Sequence, residues 1–355
     1  MKKILFSLLI SLLVFSSCDN SNTVVLGGVI PLTGNSADLG QSTAHAMELC
    51  AEKWNKAGGV LGKQVSLDIN DSQADPKLGI TLTQKIVSQH PPLLVYSLIS
   101  GVALNVQSVT KKNQSILMAC IGSAELFEND TLYTLRNFVS PTTVGEGISS
   151  FIVENHKDKK LSIMYINNTF GHSYAQKVKI CSEQKGIEIK QMIPYDESNS
   201  YRDIIVKANL SGNDLLYIAG VGQSIGVIIK QLRENGYQGV ILGDPNLPNN
   251  SALTVAGESM KNVFYLDINR PNTKDFRDFE YIYKSRYNTS PDNFAIIAYA
   301  TCDYILDLAA KNKTIKTKMI MDNANEGYSF NSIIGTISVK NNEFVFPTKM
   351  SIVQQ

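Results

Sequence analysis

What most constrains this chain is an alternation that runs through most of its length. Short apolar runs alternate with stretches whose apolar side chains recur every three or four positions. The first kind suits buried strands and the second suits amphipathic helices. Strands alternating with helices of this size imply a parallel sheet covered on both faces. The pattern predicts strands over 24–30, 65–70, 93–96 and 115–120, separated by helices over 39–56, 77–89 and 101–113. In the first helix Ala44, Met47, Ala51 and Trp54 share one face, and the glycines of 57–62 suit a left-handed cap at its end. Asp75-Pro76 reads as the start of the next helix, with proline at its first position.

A second run of the same kind follows residues 136–142. It predicts helices over 144–154, 173–184, 201–210 and 224–235, and strands over 161–166, 187–193, 214–219, 239–242 and 262–267. Helices follow over 273–287 and 294–310, then short strands near 332–338 and 344–346 around a hairpin turn at Lys340-Asn341-Asn342-Glu343. The closing segments are too few for a third domain. They are expected to pack back on the two lobes.

Residues 95–103 read as a strand ending, a tight turn and a helix beginning. The first N–H groups of a helix lack intrahelical partners and carry the positive end of its dipole, so a carboxylate can sit there beside a hydroxyl. Ser100 is the candidate, and it has two readings: an anion contact, or a simple helix cap.

The 33 basic residues are balanced by 32 acidic ones, and no basic run is interleaved with aromatics, which argues against nucleic acid as a partner. Met1-Lys2-Lys3, the apolar stretch 4–15 and Ser16-Ser17-Cys18 form a leader too short to span a bilayer, and they resemble a bacterial lipoprotein signal. That resemblance implies a signal peptide over 1–17, lipidation of Cys18 and a tether over 18–23. Cys50, Cys120, Cys181 and Cys302 lack CxxC spacing, so metal binding is not expected, and free buried thiols are the reading preferred over disulfides. The four histidines show no ligand spacing either.

Taken in order, Pro31-Leu32-Thr33-Gly34, Gly40, Ala57 to Val65, Asp71 to Pro76 and Ser100-Gly101-Val102-Ala103 resemble the type I periplasmic binding proteins, and among them the leucine/isoleucine/valine-binding proteins of ABC importers. The resemblance spans 24–346. It implies an α/β fold of two Rossmann-like lobes with parallel sheets joined by a three-strand hinge. The crossings are expected near Ser140, Asn269 and Gly335, giving one lobe from 24–140 plus 270–334 and the other from 141–269 plus 335–355.

The same resemblance implies a site. Ser100 and a hydroxyl in Gly122-Ser123 would hold a ligand carboxylate, and Leu39 and Phe170 would form apolar walls. A further contact falls at Val221 or Gly222. The acidic partner of an ammonium matches Asp244, with Pro245 the competing alignment. A closed cleft that buries a zwitterion must supply partners for both charges.

The function so implied is capture of a small polar solute, an amino acid of branched-chain or similar type, by a monomer that delivers it to an ABC permease in the cytoplasmic membrane. The protein would sit in the cell envelope, with the membrane reached only through its lipid anchor and with no cofactor. The alternative keeps the fold as a ligand-free or sensory protein-interaction module. An enzyme is not expected: no GxGxxG follows the first strand, and no phosphate loop, GxSxG or HExxH appears.

Overall fold

The computed structural model describes residues 22–120, 131–198, 200–210 and 214–353. Its elements follow the predicted alternation. The first run gives β1 (Thr23–Ile30), α1 (Ala37–Lys56), β2 (Gln64–Asp71), α2 (Pro76–Gln89), β3 (Leu94–Ser97), α3 (Ser100–Lys112), β4 (Ile116–Ala119) and the short β5 (Thr134–Arg136). The second gives α4 (Pro141–Asn155), β6 (Leu161–Ile166), α5 (Thr169–Gln184), β7 (Ile189–Tyr195), α6 (Arg202–Ala208), β8 (Leu215–Ala219), α7 (Gln223–Glu234), β9 (Ile241–Gly243), α8 (Asn250–Ala256) and β10 (Val263–Ile268). Three helices, α9 (Lys274–Tyr287), α10 (Asn293–Lys311) and α11 (Thr317–Asn325), precede four strands: β11 (Ser329–Ser332), β12 (Gly335–Lys340), β13 (Glu343–Val345) and β14 (Thr348–Ile352).

These strands form two sheets, one ordered β11-β12-β13-β5-β4-β3-β1-β2 and the other β14-β10-β9-β8-β6-β7. Pairing within β1 to β5 and within β6 to β10 is parallel, and the antiparallel ladders among the described residues are β11–β12, β12–β13 and β10–β14. Every residue of β3, β4, β6 and β8 is buried, as a parallel sheet with helices on both faces requires.

Local chemistry sets the helix starts. Asp75 accepts hydrogen bonds from the amides of Lys77 and Leu78 with Pro76 following it, and Thr273 accepts from Phe276 N. In each lobe the helix after the first strand begins against the chain leaving that strand. A Cβ on Gly40 of α1 would stand 1.6 Å from the Pro31 carbonyl oxygen, and one on Gly171 of α5 would stand 1.9 Å from that of Ile166. Only glycine permits these approaches, and both bring a helix N-terminus to the carboxyl edge of its sheet.

The first lobe is completed by late chain. α10 packs along α1, and between Asn293 and Ala309 all its residues except Tyr299 and Asp307 are buried. Here the expectation of free thiols is corrected. Cys50 of α1 and Cys302 of α10 face each other with Cα atoms 6.5 Å apart and form a disulfide, while Cys120 and Cys181 remain free and buried.

The chain passes from one sheet to the other after β5, after β10 and after β13. The third crossing, expected near Gly335, lies instead at Phe346-Pro347, and 335–345 belongs to the first sheet. The reason is the hairpin at Asn341-Asn342, both residues in left-handed backbone, which returns β13 beside β5, where Glu343 meets the buried Arg136 at 3.1 Å. Only β14 joins the second sheet. The second and third crossings are tied together by Asn269 N donating to Pro347 O at 2.8 Å.

Candidate functional site

The carboxyl edges of the two sheets face each other across a cavity of about 500 Å³. From the first lobe it is lined by the turn before α1 (Thr33, Asn35, Ser36), by Leu39, and by Ile99, Ser100 and Gly101 at the start of α3. From the second it is lined by Asn167 to Phe170 at the start of α5, by Asp196 and Glu197 after β7, and by Val221 and Asn246. Among the described residues no lysine or arginine lines it. The N-termini of α1, α3 and α5 bring partial positive charge to its wall.

Ser100 stands at the first position of α3, where Ile99 occupies the cap and gives no side-chain hydrogen bond. The capping reading of Ser100 therefore does not describe this turn. Its side chain is buried at the cavity wall, with no hydrogen-bond partner among the described residues, beside the unpaired amides that open α3.

Phe170 is set by Asn168, whose side chain caps α5 by accepting from Gly171 N at 3.0 Å. One side of its ring rests tilted on Tyr174, centroids 4.6 Å apart, and the residue also lines the cavity. Leu39, Phe138, Phe294 and Cys120 complete an apolar wall. Burial holds the Cys120 thiol well above its usual range, so it presents a neutral, soft surface.

The structure brings Ser100, Leu39, Phe170 and Val221 to one cavity. Gly222 lies just behind, at φ +58°, with a would-be Cβ 2.9 Å from Asn35 O on the facing lobe. Gly122, Ser123 and Cys18 lie outside the described residues. Asp244 is buried but does not reach the cavity surface, and neither does Pro245. The Asp244 Oδ1 atom accepts from both the backbone N and the Nδ2 of Asn246, each at 2.8 Å, and its other oxygen faces the Tyr217 hydroxyl at 3.5 Å. Asp244 thereby fixes Asn246, which does line the cavity.

With no cation against it, burial pushes the Asp244 carboxyl up to about 7, and burial likewise raises Asp292, held by Ser42 Oγ and Ala295 N, to about 6. Both folded values exceed the unfolded one near 3.9, so the stability they contribute is complete in acid and is lost as pH rises through about 6 to 7. The Asp244→Asn variant is expected to gain about 2 kcal/mol on the parent at pH 8 and little at pH 4. Urea unfolding at the two pH values checks this; an equal change at both would mean that Asp244 is ionised throughout.

Two side chains that the sequence reading did not single out are Asp196 and Glu197. They follow β7, at the same carboxyl edge that pointed to Ser100, and both are exposed at the cavity rim. Contacts that bridge the lobes include Asn35 Nδ2 to Glu197 Oε2 at 3.2 Å, Ser251 Oγ to Asp38 Oδ2 at 2.6 Å, Asn250 Nδ2 to Thr289 Oγ1 at 3.2 Å, and Asn293 Nδ2 to Pro245 O at 3.1 Å and to Asp267 Oδ1 at 3.2 Å. These contacts hold the lobes against one another beside the cavity.

Comparison with known proteins agrees with this architecture. Residues 23–355 match the family model described as periplasmic binding protein. A Brucella melitensis Leu/Ile/Val-binding protein homolog 3 is 23% identical over 322 residues, covering 89% of this chain and 86% of that protein. The Rhodopseudomonas palustris solute-binding protein of an ABC transporter, solved with 3,4-dihydroxybenzoic acid, superposes with a TM-score of 0.85 at 18% identity over 94% of each chain. The Streptococcus pneumoniae branched-chain amino acid transporter substrate-binding protein LivJ, solved with isoleucine, superposes with a TM-score of 0.79 at 18% identity, covering 92% of this chain and all of that one. At such identities the superpositions speak for the fold alone.

Proposed function

The chain belongs to the periplasmic binding protein family, and from that premise we propose that it captures a small carboxylate-bearing solute with an apolar body, most simply an amino acid of the leucine type, between its lobes. The observation that carries this reading is the interlobe cavity in which the buried Ser100 hydroxyl and the first amides of α3 meet an apolar wall, with Asp196 and Glu197 on the facing lobe. A carboxylate is held there by neutral donors and a helix dipole, without a counter-cation. An ammonium finds the two rim carboxylates, and Asn246 offers an acceptor positioned by Asp244. Leu39 and Phe170 clasp the apolar part, Val221 with Gly222 closes the far side, and Gly122-Ser123 would add a second hydroxyl contact.

Binding contacts drawn from both lobes exist together only in the closed form, so the solute favours closure by its difference in affinity for the two states. The closed form is the one presented to an ABC permease in the membrane. Cys18 would carry the lipid that keeps the protein at the cell envelope. The Leu/Ile/Val-binding relatives support the solute-binding part of this reading.

Calorimetric titration with leucine, isoleucine, valine, phenylalanine and benzoate tests it. Loss of a hydrogen bond to a charged group in the Ser100→Ala variant is expected to weaken binding by about 1.5–3 kcal/mol, roughly ten- to a hundredfold. Heat signals absent for every solute, or affinity untouched by Ser100→Ala, would overturn the carboxylate site.

A further inference from the structure

The cavity does not end at Asn35 and Glu197. Those residues and Val221 also line a second chamber of about 520 Å³, whose other walls are Ser198, Tyr201, Gln223, Ser224 and Val227. The two chambers share Asn35, Glu197 and Val221, and an exposed hydrogen bond from Asn35 Nδ2 to Glu197 Oε2 at 3.2 Å spans the lobes at this shared wall. A solute confined to the first chamber leaves the second unused.

The chambers differ in chemistry. The first carries the apolar wall of Leu39, Phe138, Phe170 and Phe294, whereas the second sets Ser198, Gln223, Ser224 and the Glu197 carboxylate beside Tyr201, Val221 and Val227, with no lysine or arginine among the described residues that line it. It opens at the start of α7, where the Gly222 cap supplies no side-chain hydrogen bond to the first amides. An apolar tail placed here would desolvate the Glu197 carboxylate and the first amides of α7 without giving them partners. An anionic tail would meet Glu197. A neutral amide chain ending in an ammonium satisfies both.

Resting on the reading of the first chamber as the solute site, we infer that the natural ligand is longer than one amino acid and is a short peptide of about dipeptide size. Its carboxylate sits at Ser100 and the start of α3, and its carboxyl-terminal apolar side chain lies on Leu39 and Phe170. Its amide and amino terminus displace the Asn35–Glu197 bond and enter the second chamber. Glu197 then exchanges a neutral amide partner for a charged one, which is the stronger hydrogen bond.

Calorimetry with leucine, alanyl-leucine and N-acetyl-leucine tests this inference. Alanyl-leucine is expected to bind about tenfold or more tighter than leucine, and N-acetyl-leucine, lacking the ammonium, about tenfold weaker than alanyl-leucine. The Gln223→Trp variant, at an exposed position on α7, fills the second chamber and should remove the dipeptide advantage while leaving leucine affinity unchanged; Val227→Phe should act likewise. Leucine binding as tightly as alanyl-leucine, or a dipeptide affinity indifferent to both variants, overturns the inference while the single-solute reading stands. Binding of none of the three ligands overturns both.

Discussion

Alanine in place of Gly40 is expected to destabilise the protein by about 3 kcal/mol or more and to abolish tight solute binding. The added Cβ would stand 1.6 Å from the Pro31 carbonyl oxygen, which is backbone and cannot turn aside as a side chain could. Either α1 lifts from the end of β1 or the turn before it is displaced. That turn and the first residues of α1 place Asn35, Ser36 and Leu39 in the cavity wall, so relief of the clash deforms the site as well. The control is Gly62→Ala, where the φ of +77° is strained but nothing lies within 4 Å of the added carbon. It should cost about 1 kcal/mol through backbone strain alone and leave binding intact. Thermal melting and calorimetry of both variants decide the matter. A Gly40→Ala protein as stable and as competent as the parent would mean that α1 does not lie against Pro31 as described.

Removing the Cys50–Cys302 disulfide is the second large effect. The bond closes a loop with a sequence separation of 252. A cross-link of that reach restricts the unfolded chain strongly, and its loss is expected to cost about 2–5 kcal/mol. The paired Cys50→Ser, Cys302→Ser variant should unfold at lower urea concentration, and a reductant should lower the midpoint of the parent while leaving that of the variant unchanged. Ligand affinity should change little, because the bond joins α1 and α10 within one lobe, away from the residues that line the cavity. Equal midpoints for the parent with and without reductant would show that the thiols are unpaired in solution.

The sheets were legible because their physics is local. A parallel strand buried on both faces is a short apolar run, and β3, β4, β6 and β8 are that and little else. β5, of three residues, and α8, of seven, are too short to show a period. The third crossing was misplaced because Gly335 looks like a break in the chain, whereas what decides sheet membership is the partner of β13, and that partner is β5, more than two hundred residues earlier. The disulfide was missed for the same reason. Ser100 was accessible from the strand–turn–helix pattern, and the same carboxyl-edge rule applied after β7 would have pointed to Asp196 and Glu197. Asp244 also follows a strand, but whether its side chain turns to the cavity or back to Tyr217 depends on packing that no spacing reports.

The placement of β13 next to β5 also bears on how the chain acquires its structure. One edge of the first sheet, β11 to β13, and the helix α10 that packs along α1 come from residues beyond β10, the last parallel strand of the second lobe. Hence the first lobe cannot be finished until the end of the chain is made: β1 to β4 pair with their neighbours early, but β5 must wait for its second partner, β13. Closure of such distant contacts is entropically slow. The second lobe lacks only β14 until then, so it should be the first part to protect its amides from exchange, even though it is the later part in sequence.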